Sequence, residues 1–220
     1  MVNTDRVGPS ALEREAVKLL LQAVMEQHVR HGDLVLNGRS DEDVADQVAE
    51  ILKCYVDQLG EFEVVKDHRA TLFEEARVYL AAGKADLALM LIATWIEHWL
   101  NDMIAWRAES TGLNDSEIIQ LLRDSGFRSK LTVTWRLVFA ERLPDRLVGI
   151  AQRVGERRNA FVHYKWQSKP AGDAAADDER TAALASDSLA AVQEFLAIEE
   201  RLVFANDRDR FLRILDEVGE

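Results

Sequence analysis

A single cysteine, Cys54, in 220 residues rules out an internal disulfide framework and any zinc site built from several thiolates. That usage fits a reducing compartment, and the cytoplasm is the expected location. Prolines are as scarce, standing only at positions 9, 144 and 170, so little interrupts the chain. No apolar run is clean enough to cross a bilayer: the most apolar stretch, residues 85–103, holds Asp86, Glu97, His98, Asn101 and Asp102. The first ten residues carry Asp5, Gly8 and Pro9 where an export signal needs unbroken apolar sequence, so neither export nor a membrane partner is expected. Glu-x-x-His, a Gly-rich phosphate loop and a Ser-based nucleophile elbow are all missing, which sets aside di-iron bundles, phosphate-loop enzymes and α/β-hydrolases. His28-x-x-His31 could sit on one helical turn, but no cysteine or clustered carboxylate completes it, and no metal or cofactor is expected. Positive charge is also short: a formal net charge of -12 argues against a nucleic-acid binder working by bulk electrostatics.

What is present is helical periodicity. Apolar residues recur at three- and four-residue spacing almost throughout, which predicts an all-α fold, and 48% hydrophobic content is enough for a sizeable core. A first helix is expected from Pro9-Ser10 to about Arg30, with Leu12, Ala16, Leu19, Leu20, Ala23 and Val24 inward. Ser40 with Asp43 resembles a capping box for a second helix, whose buried face is Val44, Val48, Ile51, Leu52 and Tyr55 and which runs to Leu59-Gly60. Residues 61–65 fit a short strand or a loop equally well. Thr71 with Glu74 is another capping signal for a helix ending near Gly83, although the start could lie a few residues earlier. A long central helix follows from about Lys84 to Glu109, apolar around most of its circumference. Asn114 with Glu117 opens a short helix to Asp124; residues 127–141 form the next, with Leu131, Trp135, Leu137 and Val138 inward. Pro144 opens the helix that matters most. Residues 170–178 read as a Gly/Ala/Asp linker, and two helices, 179–205 and 208–218, close the chain. The expected division is an N-terminal helical extension, 1–65, and a helical domain with C-terminal helices, 66–220.

The charge is unevenly spread. Residues 127–169 hold ten basic side chains against three acidic ones, so that segment is +7 and the remainder -19. A basic segment in an acidic chain could focus a polyanion on one locus, or it could solvate a helix face and pair with acidic neighbours. On the helix after Pro144 the apolar stripe is Leu147, Ile150, Ala151, Val154, Phe161 and Val162, and Arg158 breaks it. A charge leaving an apolar face needs a partner. Arg157, beside Arg153, can reach water. His163 comes five positions after Arg158, about 140° further round an ideal helix, so one straight helix cannot aim both at one phosphate. Either the helix ends or distorts near Phe161, or the site is completed across a two-fold by a second copy. Glu97 lies on the stripe of Met90, Ala93, Leu100 and Ile104, where a carboxylate is costly unless paired. His98 beside it reads as an interior histidine, and Trp95, Trp99, Trp106 and Trp135 as core.

Arg158-Asn159-x-x-x-His163 resembles the R-x4-H signature of HEPN-superfamily ribonucleases, including the polar residue directly after the arginine. The preceding long helix with Glu97-His98 near its middle, Lys130 in the helix before the motif and the almost purely helical chain are similar to that family over about residues 67–205. The resemblance implies a HEPN-like helical bundle and metal-independent RNA cleavage through the substrate's own 2′-hydroxyl. It implies His163 as the proton-transfer residue, Arg158 as the phosphate clamp, Asn159 as a secondary donor and Glu97 as the group that orients one of them. Histidine titrates near about 6.5 and can serve as base or acid, whereas arginine keeps its proton and matches phosphate oxygens with forked donors. Arg157, Lys130, Lys165 and Trp166 are the expected RNA contacts. Implied partners are an RNA substrate, a second copy in a homodimer, and an antitoxin or defence-system protein. One departure is clear: antitoxin-paired members often carry R-x4-H-x-Tyr, whereas Tyr164 follows His163 directly here and Lys165 takes the tyrosine position. Two other readings remain open, a catalytically silent HEPN-like dimer that binds RNA or protein, and a helical partner-binding module with no nucleic-acid role.

Overall fold

A computed structural model describes residues 11–57, 68–163 and 171–218. The fold is all-α, with no strand among the described residues. Its elements are α1 (Ala11–His31), α2 (Asp41–Asp57), α3 (Arg69–Ala81), α4 (Ala85–Ser110), α5 (Asp115–Asp124), α6 (Phe127–Ser129), a π-helical turn (Lys130–Thr134), α7 (Trp135–Phe139), α8 (Asp145–Val162), α9 (Ala171–Val203) and α10 (Arg208–Val218). No helix among the described residues is long and apolar enough to cross a membrane. The expected features at Leu59-Gly60 and residues 61–65 lie outside the described residues.

The chain divides into two compact units, Met1–Glu63 with Glu199–Glu220, and Val64–Ile198. The last helix therefore groups with the N-terminal helices and not with the motif-bearing domain, because its apolar face completes their core. Phe211, Ile214 and Leu215 of α10 share one cluster with Met25, Val29, Leu34, Val44 and Val48. The capping box that opens α2 forms: the Ser40 hydroxyl accepts from the Asp43 backbone N–H at 3.1 Å, and the Ser40 backbone N–H donates to the Asp43 carboxylate at 3.2 Å. On α1 the inward stripe differs in part from the expected one, although Val24 packs against the core as expected. Leu21, Met25 and Val29, at four-residue spacing, carry the packing, whereas Leu19 and Leu20 are exposed on another face. A buried ion pair between Arg30 and Glu199 ties α1 to the C-terminal residues of the same unit.

In the second unit α4 is central, with eleven buried residues from Ala88 to Ala108 distributed round its axis, as its sequence predicts. The helix α3 packs along it, with α8, α5 and the π-turn with α7 on its other sides. The Trp99 ring stacks on Trp135 with centroids 5.2 Å apart, and Trp135 on Phe139 at 4.0 Å, so these tryptophans are core. The Thr71–Glu74 signal does not cap α3, which starts two residues earlier at Arg69 with no side-chain cap. Asn114 and Glu117 do form the reciprocal cap of α5. Leu137, expected inward, is 79% exposed; it lies two residues, about 200° of helical rotation, from the buried Trp135. The expected linker at 170–178 is helical from Ala171 onward: its alanines are the best helix formers and Asp173 suits the helix N-terminus, despite Gly172.

Candidate functional site

The motif helix α8 begins at Asp145 after Pro144 and buries Leu147, Ile150, Ala151 and Val154 against its neighbours. Gly155 lets Phe127 approach: a Cβ there would lie 3.0 Å from the phenylalanine ring. The apolar stripe then stops being buried. Phe161 and Val162 are each 47% exposed, contrary to their place in the expected core stripe, because they lie in the last turn of α8. His163 caps the helix through its backbone N–H, which donates to the Asn159 carbonyl at 3.0 Å. Its side chain, like that of Asn159, is exposed. The helix thus ends at the histidine, where the divergence of Arg158 and His163 on a straight helix required a break or a second copy.

Arg158 has the partner its position demands. Its Nη1 donates to Glu97 Oε2 of α4 at 3.1 Å, both side chains being about one-third exposed. One turn further along α4, Asn101 Oδ1 accepts from Lys130 Nζ at 2.7 Å. The π-turn positions that ammonium, and Lys130 is buried with 6% of its surface exposed. Burial holds its pKa below the ordinary lysine value, against the charge of nearby Glu97, which acts in the opposite direction. At the end of the π-turn the buried Thr134 hydroxyl lies 3.1 Å from the Ser125 hydroxyl and 3.2 Å from that of Ser129. Glu97, Asn101, Lys130 and Arg158 therefore form one polar cluster with two cations and one carboxylate, open to solvent at Arg158. A cluster so composed can hold an anion.

Not all the expected site residues join it. The hydrogen bonds of the cluster do not extend to Asn159 or His163. Arg157, expected to reach water and RNA, instead donates from Nε to Asp86 and from Nη1 to Asp177, both at 3.0 Å. Burial works against its charge, but the bonds to Asp177 and Asp86 outweigh it and the net pKa shift is upward. It braces α4, α8 and α9. His98, read as interior, is exposed, since it lies about 100° from Glu97 on the outer side of α4. Lys165 and Trp166, with Tyr164, lie outside the described residues. Asn101 was missed by sequence reasoning; its signal was a position four residues after Glu97, on the same helical face. Asp177 was missed because it falls in the segment read as a linker. No group of three or more His, Cys, Asp or Glu placed to hold a metal occurs among the described residues. Compared with protein-family models, curated proteins and solved structures, the chain matches none.

Proposed function

We propose that this protein is a metal-independent endoribonuclease of the HEPN type that acts as a homodimer. The observation that carries the proposal is Arg158 held by Glu97 near the end of α8, one residue before exposed Asn159 and five before exposed His163. A phosphate clamp needs a cation fixed in direction yet reachable, and a carboxylate on a rigid central helix supplies that fixing. The buried Lys130 ammonium adds a second positive charge, so Glu97 does not neutralise the cluster.

The chemistry uses the substrate's own nucleophile. The ribose 2′-hydroxyl gives up its proton and attacks the adjacent phosphorus, the bond to the 5′-oxygen breaks, and that oxygen takes up a proton. The products are a 2′,3′-cyclic phosphate and a 5′-hydroxyl end. His163 is the group able to take or give a proton at this locus, and Arg158 bears the charge of the phosphorane. Exposed Phe161 and Val162 within the motif offer the apolar contact through which a second copy brings its own histidine to the cluster. The resemblance to the wider HEPN family further implies a protein that restrains the activity, by a route other than the tyrosine of antitoxin-paired members, whose place Lys165 takes.

The test is incubation of the purified protein with RNA in excess chelator, beside His163→Ala and Arg158→Ala. Cleavage that persists in chelator, leaves a 2′,3′-cyclic phosphate, spares a strand with 2′-deoxyribose at the scissile position and drops by about 10² to 10⁴ in His163→Ala supports the proposal. RNA retained without cleavage would leave the silent dimer in its place. Variants that cleave as fast as the parent would move the activity elsewhere.

A further inference from the structure

At the opposite end of α8 from the motif, the helix start faces the π-turn and α7 across a groove of about 240 Å³. Leu143, Val148 and Val133 give it an aliphatic floor and wall, and Arg136 and Arg142 stand along it, both exposed. Val133 is 60% exposed, and Leu137, one turn further on, extends the apolar surface beyond the groove. Asp145 is the one acid in the lining, and it lies in the first turn of α8, where the helix dipole accommodates it. The thirteen steps from Asp145 to Arg158 span about 20 Å of helix, so the groove lies well away from Arg158, while Leu131 of its lining follows Lys130 of the cluster directly in the chain.

Three features decide what would occupy it. The volume falls below the about 300 Å³ at which pockets for small molecules begin, and suits an anchoring side chain or two. The lining has no aromatic ring, so it offers no platform on which nucleic-acid bases stack. Two arginines flank an aliphatic cleft on a chain whose net charge is -12, which makes this rim a local inversion of sign and complementary to carboxylates. We infer that the groove between α7 and the start of α8 is a docking site for an acidic amphipathic protein segment, which inserts apolar side chains between Val133 and Val148 and sets its carboxylates against Arg136 and Arg142.

The test is a charge-swap experiment on the full chain. The probes are two synthetic helical peptides of about four turns with the same Leu/Phe stripe, one flanked by glutamates and one by lysines. Binding is followed by fluorescence anisotropy and mapped by amide chemical shifts. The glutamate peptide should shift the amides of Val133, Arg136 and Val148 and bind about tenfold or more tightly than the lysine peptide. In Arg136→Glu/Arg142→Glu, whose substitutions are at exposed positions, the order of the two peptides should reverse, while the thermal melt stays that of the parent. Equal binding of both peptides, binding unchanged by the double substitution, or no shift at these amides would overturn the inference. So would a single-stranded RNA oligomer that shifts these amides and displaces the glutamate peptide, since the face would then belong to nucleic acid.

Discussion

Arg158 of α8 and Glu97 of α4, sixty-one positions apart, meet at 3.1 Å with roughly a third of each side chain open to water. So exposed a pair adds little to stability, about 1 kcal/mol or less, because solvent screens it. Its value lies in direction. Glu97→Ala should therefore lower the unfolding free energy by under about 1 kcal/mol, while reducing RNA cleavage by about tenfold or more. Urea unfolding beside a cleavage assay separates the two effects, and a stability loss with full activity would leave Glu97 a structural residue only.

Lys130 makes stability depend on pH in a direction that can be worked out. Burial lowers its pKa from the ordinary 10.5, so between the folded value and 10.5 the unfolded chain holds a proton that the folded chain has released. Stability gained from this group rises with pH across that window and is least below it. Lys130→Met removes the titration. The difference in unfolding free energy between parent and variant should then move in the parent's favour as pH is raised towards 10.5. Paired denaturation curves measure it, and a flat difference would mean that the ammonium is not desolvated.

Much of the fold was legible because the core helices are periodic and their caps are local. The Asn114–Glu117 and Ser40–Asp43 boxes depend on residues three apart, and the all-round apolarity of α4 states its burial directly. What was hidden depends on tertiary context. The sequence of α9 before Glu179 looks like a linker until Asp177 is seen to anchor Arg157. Phe161 and Val162 continue the apolar stripe of α8 in sequence, yet at the end of the helix neighbouring elements leave them half exposed. For the candidate site, the need of Arg158 for a carboxylate was readable from the apolar stripe it interrupts, and so was Glu97. The π-turn that brings Lys130 to Asn101 has no comparable local signature.

Arg157 provides a contrast with its neighbour. It joins Asp86 and Asp177 through two nitrogens and is the less exposed of the two arginines, 27% against 38%. Arg157→Ala should cost about 1–3 kcal/mol, more than Arg158→Ala, since it leaves two carboxylates without their shared cation. Amide exchange along residues 175–181 should quicken in that variant alone. Equal stability of the two alanine variants would deny Arg157 its bracing role.

Trp135 carries a buried indole N–H that no protein group among the described residues accepts, and a buried donor left unpaired costs about 1–3 kcal/mol. Replacing the ring by phenylalanine removes the unsatisfied donor while sacrificing part of its packing against Trp99 and Phe139. The two changes oppose each other. Trp135→Phe should cost under about 1 kcal/mol by chemical denaturation, whereas Trp135→Ala, which opens a cavity, should cost about 3–5 kcal/mol. A Trp135→Phe loss as large as that of alanine would mean that the N–H is satisfied, for instance by an ordered water.

The last prediction follows from the divergence of Arg158 and His163. If each site takes its arginine from one copy and its histidine from the other, then Arg158→Ala and His163→Ala are each inactive as homodimers. Mixed, they form heterodimers in which one of the two sites combines an intact Arg158 with an intact His163. Random exchange puts about half of all dimers in that form, each with one working site, so the mixture should recover about a quarter of parental activity. Phe161→Asp, placed on the half-exposed surface between Arg158 and His163, should weaken both dimerisation and this recovery without unfolding α8. Sedimentation at micromolar concentration checks the first effect, and cleavage assays on the mixture check the second. No recovery from well-exchanged variants, with each parent site active, would assign both residues to a single chain.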